Sequence, residues 1–550
     1  MNINFFEKNL SALKRLEPDH LSNDRTSLFY RLCNAKKNAG KYKILTSSSG
    51  DSVPAFMDSG RALHSLIDPR REAERLAGTL KDEGFIVVLG LGGGYLVEAA
   101  LERENTSLVL AMDFDIDSIA ELLCLKDYTK IFDDPRFYLL IDPDETRIEQ
   151  FILNNYKPAL SGGIGTIPLR ARTLVCAKSF NNAGLAMEQA IKKVSVDYSV
   201  QAYFGTLWFS NIVRNIKKAE AEYEPLPVIR RAAVTAAGPS LDFQINEIRE
   251  RRDEFFLMAT DTSLPCLLFE NIFPDAVVSI DCQHIGFCHF MAGLPEDTYL
   301  FLDLASPAAI TSQSAMPFFF SGGHPLTGYV SRAWRVLPEV DTSGGNITHA
   351  CVSLAEKLGA ESVELFGADF SYPMGLTYAR GAYIHPFFEQ RQKRLAPLES
   401  QNSAFLYRGG LEKKIKNAHW YYESPSLNFY REQLELKTKT AGIELIHREG
   451  LGAPVKVFVK AAGTKPRDSS FYYGKCQKKA EDFLAEYSKD IRALPVCGTY
   501  NEKEKIIFTT LLPAVAALRR RNPELKTKDL LEKTISHCVS EIEKVIATRA

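Results

Sequence analysis

The segment IRRAAVTAAGPSL at residues 229–241 decides the predicted fold. Residues 229–236 predict a strand, and Gly238 then lets the backbone turn closely before a helix. Pro239 fits the first helical turn, where its missing N–H costs no hydrogen bond, and Ser240 adds a hydroxyl group. The exposed N–H groups and the helix dipole attract anions, so the turn is either a phosphate-binding loop or an ordinary strand-to-helix connection.

Further short apolar runs follow this unit, and most of them end in polar residues. They are residues 255–259 before Thr260-Asp261-Thr262, 276–280 before Asp281, 299–302, and 362–366 before Gly367-Ala368-Asp369. Strands that alternate with helices of this length are typical of a doubly wound, Rossmann-like α/β sheet. Because such sheets bind ligands at the carboxyl ends of their strands, we expect the polar residues to form one binding edge.

The segment TSGGNITH at residues 342–349 is a second candidate for anion binding. Small residues with two hydroxyl groups precede a predicted helix, so free N–H groups are expected at its start. The alternative is that Ser343 only caps this helix. Two such helix starts, together with the Asp residues that end the strands, favour a nucleotide, which needs donors for its phosphate and acceptors for its ribose and base.

The N-terminal part contains a strand-turn-helix unit of its own, GFIVVLGLGGG at residues 84–94. Its apolar run predicts a strand buried on both faces of a parallel sheet. The Gly90–Gly94 turn, followed by Asp113 and Asp115, resembles a dinucleotide or S-adenosylmethionine fingerprint, but its third glycine comes too early for G-x-G-x-x-G. The turn is therefore interpreted as structural, with a methyltransferase or oxidoreductase as an alternative.

Breaks in this pattern predict three domains. A Rossmann-like α/β domain covers residues 1–225, ends in a long helical stretch and stops before Glu224-Pro225-Leu226-Pro227. The central α/β domain covers residues 226–453. Residues 454–550 are rich in Lys and Glu with helical periodicity, which indicates a helical C-terminal domain.

Composition excludes several classes of protein. The 550 residues include 67 Lys and Arg against 68 Asp and Glu, so a basic field over the whole chain, typical of nucleic-acid binding, is absent. No apolar run reaches the 18–20 residues of a membrane span, and MNINFFEKNL lacks the pattern of a secretory signal. Ten cysteines without a CxxC pair indicate a reducing compartment. The expectation is a cytoplasmic protein without membrane span or nucleic-acid partner.

One segment contains possible metal ligands. Asp281-Cys282-Gln283-His284 with Cys288-His289 offers possible zinc ligands, but structural zinc sites usually combine two paired-ligand clusters, and a second cluster is missing. We therefore expect no metal. The loop GLTYARG at residues 375–381 follows Asp369 and either closes over a ligand or lies on the surface.

The central motifs form a series that resembles a known family. GPSL at 238–241, ATDT at 259–262, SIDCQ at 279–283, TSGGN at 342–346 and GADFSYPMGLTYARG at 367–381 resemble the Maf (motility-associated factor) glycosyltransferases. That family shares its core with archaeal 6-hydroxymethylpterin diphosphokinase-like proteins. The resemblance covers residues 226–455, and the GLGGG-containing part matches the Maf N-terminal domain.

The resemblance implies a core similar to bacterial sialyltransferases. It also implies transfer of a nonulosonic acid, of the pseudaminic or legionaminic type, from its CMP conjugate to flagellin Ser or Thr. The CMP-activated sugar is then the donor substrate, and no other cofactor is expected. The residues that the resemblance places around the donor are Gly238, Pro239, Ser240, Asp261, Thr262, Asp281, Gln283, Ser343, Gly344, Gly345, Asn346 and Asp369.

Glycosyl transfer of this kind needs two functions from the protein. Fixed hydrogen-bond donors stabilise the departing phosphate, and a base accepts the proton of the acceptor hydroxyl. Asp281 is the first choice for the base, with His324 and His349 as alternatives. Tyr378 stands where many relatives carry His, and its hydroxyl is a candidate to stabilise the leaving phosphate.

Two other functions remain open for the central domain. A pterin-type diphosphokinase on the same core would require ATP and Mg²⁺. A non-enzymatic assembly factor would bind flagellin without modifying it.

Overall fold

The computed structural model describes residues 5–14, 27–37, 39–416, 419–440, 442–457, 468–496 and 500–548. Contacts divide the chain into two compact units: Met1–Tyr203 with Arg519–Thr527, and Phe204–Leu518 with Lys528–Ala550. This division does not test the predicted domain boundaries at residues 225 and 453, which stay predictions.

The first unit contains a parallel sheet and an antiparallel hairpin. The hairpin is β1 (Tyr42–Thr46) and β2 (Ser52–Phe56), and the sheet strands are β3 (Glu83–Leu89), β4 (Leu108–Asp113), β5 (Phe137–Ile141) and β6 (Gly163–Pro168). The sheet order is β5-β4-β3-β6. Ile86 and Val88 of β3 pack into one apolar core and Phe85 and Val87 into another, so this strand is buried on both faces as predicted.

Helices surround these strands. They are α1 (Phe5–Leu13), α2 (Leu28–Asn34), α3 (Pro69–Ala77), α4 (Tyr95–Leu101), α5 (Ile116–Leu125), α6 (Thr129–Phe132), α7 (Glu145–Asn155), α8 (Pro158–Ser161) and α9 (Arg170–Val175). The long helix α10 (Ala177–Lys218) follows, and its residues up to Tyr203 belong to the first unit.

A seven-stranded parallel sheet forms the centre of the second unit. Its strands are β7 (Arg231–Thr235), β8 (Phe256–Thr260), β9 (Ala276–Ser279), β10 (Tyr299–Asp303), β11 (Phe318–Phe320), β12 (Ser362–Phe366) and β16 (Glu444–His447). The order is β11-β10-β9-β8-β7-β12-β16, so the chain moves outward from β7 and then returns to its other side at β12. This reversal confirms the predicted doubly wound α/β fold.

The connections of this sheet are mainly helical. They include α11 (Leu241–Glu250), α12 (Leu264–Phe269), α13 (Ala308–Thr311), α14 (Pro325–Ala333) and α15 (Ile347–Lys357), with short 3-10 helices at Arg252–Glu254 and His284–Phe290. Because all seven strands are parallel, their carboxyl ends and the helix starts that follow them meet at one edge of the sheet.

An antiparallel sheet lies between β12 and β16 in the chain. It consists of β13 (Tyr372–Pro373), β14 (Glu412–Lys416) and β15 (His419–Glu423), in the order β13-β15-β14, and is accompanied by α16 (Ile384–Glu389), α17 (Leu398–Leu406) and α18 (Pro425–Thr440). The sequence patterns did not predict this sheet, and the aromatic run at residues 419–422 is one of its strands.

The chain ends in the helices that its periodicity predicts. They are α19 (Ala480–Arg492), α20 (Glu502–Arg521) and α21 (Thr527–Ala547). No helix within the described ranges combines the length and the apolar character that crossing a membrane requires.

Candidate functional site

Asp261 stands at the carboxyl end of β8, where the polar strand ends meet. It is almost fully buried, and its carboxylate accepts hydrogen bonds from the hydroxyls of Ser279, at 2.7 Å, and Thr262, at 2.9 Å. The structure therefore brings Asp261 and Thr262 together, with Ser279 on the neighbouring strand β9 as a further partner.

Asp281 lies beyond the end of β9, and its charge helps to raise the pKa of Tyr383. Its Oδ1 accepts a hydrogen bond from the Gln283 N–H at 2.9 Å, and burial raises the pKa of Asp281 although this bond opposes the rise. The ring of Tyr383 is 4.4 Å from that of His289 and 6.4 Å from that of Tyr378. Burial raises the pKa of both tyrosines, so both are neutral hydroxyl donors at physiological pH.

An open cleft of about 1330 Å³ adjoins the ends of β10 and β11. Of the predicted site residues, His324 and Ser343 line it. Other lining residues are Gly322, Gly328, Asp341, Thr342 and Lys437. The cleft is large enough for a nucleotide-sized ligand.

His324 pairs with a carboxylate that the sequence patterns did not single out. Its Nε2 is 3.7 Å from Oδ1 of Asp303, and its ring is 4.5 Å from that of Trp208. Asp303 is buried and also accepts the N–H of Ala305 at 2.7 Å. Burial raises the pKa of Asp303, and the nearby imidazole opposes that rise. An imidazole beside a fixed carboxylate is suited to accepting a proton from a hydroxyl.

The loop that leads into α15 borders the same cleft through Thr342 and Ser343, and the start of this helix follows it. Its cap is Asn346, whose side chain accepts the N–H of His349 at 3.0 Å, so the alternative in which Ser343 caps the helix is wrong. Within the part of the chain that the structure describes, the N–H groups of Gly344, Ile347 and Thr348 have no hydrogen-bond acceptor. Such free amides at a helix start are suited to an anion.

Ser343 and His349 both form hydrogen bonds with Asp341. Ser343 donates its N–H, at 3.0 Å, and its hydroxyl, at 2.6 Å, to Oδ1, while Nε2 of His349 is 3.1 Å from Oδ2. Burial raises the pKa of Asp341, but these bonds more than compensate and hold it well below its usual range. A Cβ on Gly344 would lie 2.3 Å from Nδ1 of His349, so the imidazole packs directly against the TSGGN loop.

The GPSL turn makes a separate network with Asp369. Ser240 donates its N–H to Oδ2 of Asp369 at 2.8 Å and its hydroxyl to Oδ1, and it accepts the N–H of Leu451 at 2.7 Å. Helix α11 begins after Pro239, which lies before the helix and not in its first turn. Among the described residues Ser240 and Ser343 share no hydrogen-bond partner. Nucleotide contacts by Gly238, Pro239, Ser240 and Asp369 stay a prediction.

Ser240→Ala is expected to lower the free energy of unfolding by about 1–3 kcal/mol. The substitution removes the buried hydroxyl that donates to Asp369 and accepts the Leu451 N–H, so both groups lose a hydrogen bond. The measurement is urea unfolding of both proteins. Ser343→Ala is the control, since its hydroxyl is exposed, and it should change stability by less than about 0.5 kcal/mol. Equal effects of the two substitutions would contradict this assignment.

In the Gly90–Gly94 turn of the first unit, backbone N–H groups already bind side chains of the protein. The Leu91 N–H donates to Asp113 and the Gly93 N–H to Nε2 of His64, each at 2.9 Å. Arg172 forms a buried ion pair with Asp113, at 2.9 Å. A Cβ on Gly92 would lie 2.4 Å from the side chain of Leu169, which shows how tightly the turn is packed. The geometry favours the structural interpretation of this turn over a dinucleotide or S-adenosylmethionine site.

Asp115, the second acidic residue of that fingerprint, also has partners within the protein. It caps α5 through the Ser118 N–H at 3.3 Å and forms an ion pair with Lys41. A ribose would have to compete with both partners for this carboxylate.

His64 makes the first unit sensitive to acid. Burial lowers its pKa to about 3, and the nearby Lys126 lowers it further in the same direction. The unfolded chain takes up the proton near pH 6.5, but the native imidazole stays neutral until pH approaches 3. Stability should therefore fall by about 2 kcal/mol from pH 7 to pH 5 through this group alone.

The measurement is urea unfolding at both pH values for wild type and His64→Gln. Glutamine keeps an acceptor for the Gly93 N–H but does not titrate, so the variant should lose less stability on acidification. An identical loss in both proteins would show that His64 is not the responsible group.

The possible zinc ligands near Asp281 do not assemble. Within the described ranges, no three His, Cys, Asp or Glu side chains are placed to hold one metal ion. Cys282 is buried and His289 packs against Tyr383.

Comparison with known proteins extends these observations. Residues 209–375 match the family model described as 6-hydroxymethylpterin diphosphokinase MptE-like. A protein of Treponema pallidum (strain Nichols), described as uncharacterized, is 30% identical over 172 residues, which are 31% of this chain and 82% of that protein. The chain belongs to the MptE-like family. A second Treponema pallidum protein with the same description is 32% identical over 157 residues, 28% of this chain, and the chain spans only 56% of its length.

A solved structure matches the MptE-like chain over nearly its whole length. It is that of a Maf glycosyltransferase from Magnetospirillum magneticum AMB-1, with a TM-score of 0.56, 13% sequence identity and coverage of 99% of this chain and 95% of that one. The chain therefore has the Maf fold with an MptE-like core, and the resemblance seen in the motif series is confirmed.

Proposed function

We propose that this protein is a glycosyltransferase that moves a sugar from a nucleotide-activated donor to a hydroxyl group of an acceptor. The observation that carries the proposal is the cleft itself. His324, the partner of Asp303, lines it, and so does Ser343, which lies just before the free N–H groups at the start of α15. The fold shared with a Maf glycosyltransferase supports the same reaction class.

The start of α15 is proposed to hold the donor phosphate. As the bond to the anomeric carbon breaks, negative charge grows on this phosphate. The N–H groups of Gly344, Ile347 and Thr348 would stabilise that charge, together with the positive end of the helix dipole. Asp341 also lines the cleft, and in this scheme it fixes the loop through Ser343 while the phosphate binds at the N–H groups.

His324 is proposed as the base that accepts the proton of the acceptor hydroxyl. It lines the cleft, and Asp303 would orient its imidazole and stabilise the imidazolium that forms. Asp281, the first choice from sequence, stays the alternative, and it is not among the residues that line the cleft. His349 is assigned a positioning role because its ring lies against the loop and binds Asp341.

We further propose a CMP-activated nonulosonic acid as donor and Ser or Thr of flagellin as acceptor, in the cytoplasm. The Maf fold supports this choice. Tyr378, in the loop after β13, and Asp261, after β8, are proposed to contact the sugar. The charge of Asp261 helps to raise the pKa of Tyr378, which is consistent with a shared site.

A pterin-type diphosphokinase is the second candidate, because the matching family model is described by that activity. Calorimetric titration with CMP and with ATP and Mg²⁺ distinguishes the two. We expect CMP to bind and ATP with Mg²⁺ not to bind. Binding of ATP with Mg²⁺ alone would favour the diphosphokinase, and binding of neither nucleotide would favour an assembly factor.

Gly344→Ala and Gly328→Ala locate the CMP site. A Cβ on Gly344 would meet the His349 ring at 2.3 Å and displace the loop, whereas a Cβ on Gly328 meets nothing within 4 Å although this residue lines the same cleft. CMP affinity should fall at least about tenfold in the first variant, which corresponds to 1.4 kcal/mol, and stay unchanged in the second. Unchanged affinity in both would place CMP elsewhere.

A further inference from the structure

Strand β14 leaves one of its edges open. It pairs with β15 on one side, and within the described ranges no strand pairs with its other side. In the register of this pair, Lys413 lies opposite Tyr422 and Ile415 opposite Trp420, so these four side chains share one face of the hairpin. Ile415 is 79% exposed.

Aromatic side chains extend this face into a surface that we name the edge shelf, formed by Tyr407, Lys413, Ile415, Trp420 and Tyr422. The ring of Tyr422 is 5.2 Å from that of Trp420 and 5.9 Å from that of Tyr407, and Nζ of Lys413 is 4.7 Å from the centre of the Trp420 ring. Proteins usually protect an open strand edge with charged side chains, and β14 carries three lysines. The exposed Ile415 and the aromatic groups beside it nevertheless form an apolar surface that is suited to a partner.

The charge around the edge shelf indicates which kind of segment the partner contributes. Residues 371–423 contain eight Lys and Arg but four Glu and no Asp. Two of the four carboxylates are paired, Glu423 with Arg431 and Glu412 with Lys414. Arg380 and Lys416 also pair with acidic residues outside the range, so five cations and two carboxylates of the range remain. The surface that remains is basic and therefore complementary to an acidic segment.

The edge shelf is fixed relative to the polar strand ends. Nζ of Lys416 on β14 donates to the carbonyl of Gly450 at 3.3 Å, in the loop that binds Ser240 and Asp369. On the same side, the ring of Phe405 lies 6.2 Å from that of Tyr378, which belongs to the proposed sugar site. A chain bound along β14 would thus be held at a constant place relative to the loop that binds Ser240 and Asp369.

We propose that an extended, acidic segment of the acceptor polypeptide pairs with the open edge of β14 and lays its apolar side chains on the edge shelf. This inference rests on the proposed function for the identity of the acceptor. Backbone pairing gives affinity that depends little on sequence, and the Lys side chains favour acidic segments. Such docking would raise the local concentration of the Ser or Thr hydroxyl near Tyr378 and the polar strand ends.

Hydrogen exchange of the full chain with unmodified flagellin tests the docking. Flagellin should slow exchange of the β14 amides, and Ile415→Asp should abolish this protection. Ile67→Asp is the matched control because Ile67 is 75% exposed but lies in the first unit, and it should leave the protection intact. Equal unfolding midpoints of the three proteins show that folding is preserved.

Kinetics with CMP-sugar separate this inference from the proposed function. Ile415→Asp should raise KM for flagellin at least about tenfold while the rate of CMP release without acceptor stays unchanged. Unchanged KM, absent protection of β14, or equal protection by single-stranded poly(U) RNA would each overturn the docking proposal. Absence of CMP release in wild type, with β14 still protected by flagellin, would instead reject the proposed function.

Discussion

His324→Gln is expected to slow sugar transfer by a factor of about 10²–10⁴, the range that general base catalysis supplies. Glutamine retains a polar side chain of similar length beside Asp303 and Trp208 but cannot accept the proton of the acceptor hydroxyl. The donor phosphate is proposed to bind at α15, so the affinity for CMP should not change. Initial rates of transfer and calorimetric titration with CMP measure the two effects separately.

The assignment of the base is decided by comparison with two further variants. Asp281→Asn should retain most of the rate, since the proposed base is His324, which lines the cleft. Asp303→Asn should lower the rate, because the amide cannot stabilise the imidazolium as a carboxylate does. If Asp281→Asn lost activity and His324→Gln kept it, the base would be Asp281, as the sequence first indicated.

Gly205→Ala is expected to have the largest effect on stability. Gly205 lies in α10, and a Cβ there would lie 1.7 Å from the carbonyl oxygen and 2.1 Å from the carbonyl carbon of Pro513 in α20. These are backbone atoms of a packed helix, so they cannot rotate away as a flexible side chain can. The two helices would have to separate, and we expect a loss of about 3 kcal/mol or more in the free energy of unfolding.

Gly184→Ala in the same helix is the matched control. Nothing lies within 4 Å of a Cβ at Gly184, so the higher helix propensity of alanine should stabilise the protein by up to about 1 kcal/mol. Urea unfolding of both variants checks the prediction. A loss at Gly205 no greater than the change at Gly184 would show that α10 and α20 are not packed this closely.

Local patterns were sufficient to predict β3 and five of the seven strands of the second unit's parallel sheet, but not β11 or β16. Buried runs such as residues 84–89 and 231–235 are too apolar for surface helices, and the turns after them contain the residues that short connections require. Strand β11, Phe318–Phe320, is only three residues long and gives no periodic signal. The charged strand β14 looks like a surface segment, so its pairing with β15 could not be inferred from hydrophobicity.

The candidate site could also be predicted only in part from local sequence patterns. The polar residues after the strands could be identified from position alone, because parallel strands end at one edge. Asp303 directly follows the predicted strand 299–302 and fits this pattern, but it was not singled out as a site residue. The bond between Ser240 and Asp369 joins residues 129 apart in sequence, and a local pattern contains no information about such a partner.

Mass spectrometry of intact flagellin after incubation with this protein and a CMP-activated nonulosonic acid tests the glycosyltransferase proposal directly. Wild type should add the mass of one or more sugar residues and release an equal number of CMP molecules, while His324→Gln should add almost none in the same time. Flagellin of unchanged mass with every donor of this class, from wild type that binds CMP, would contradict the account.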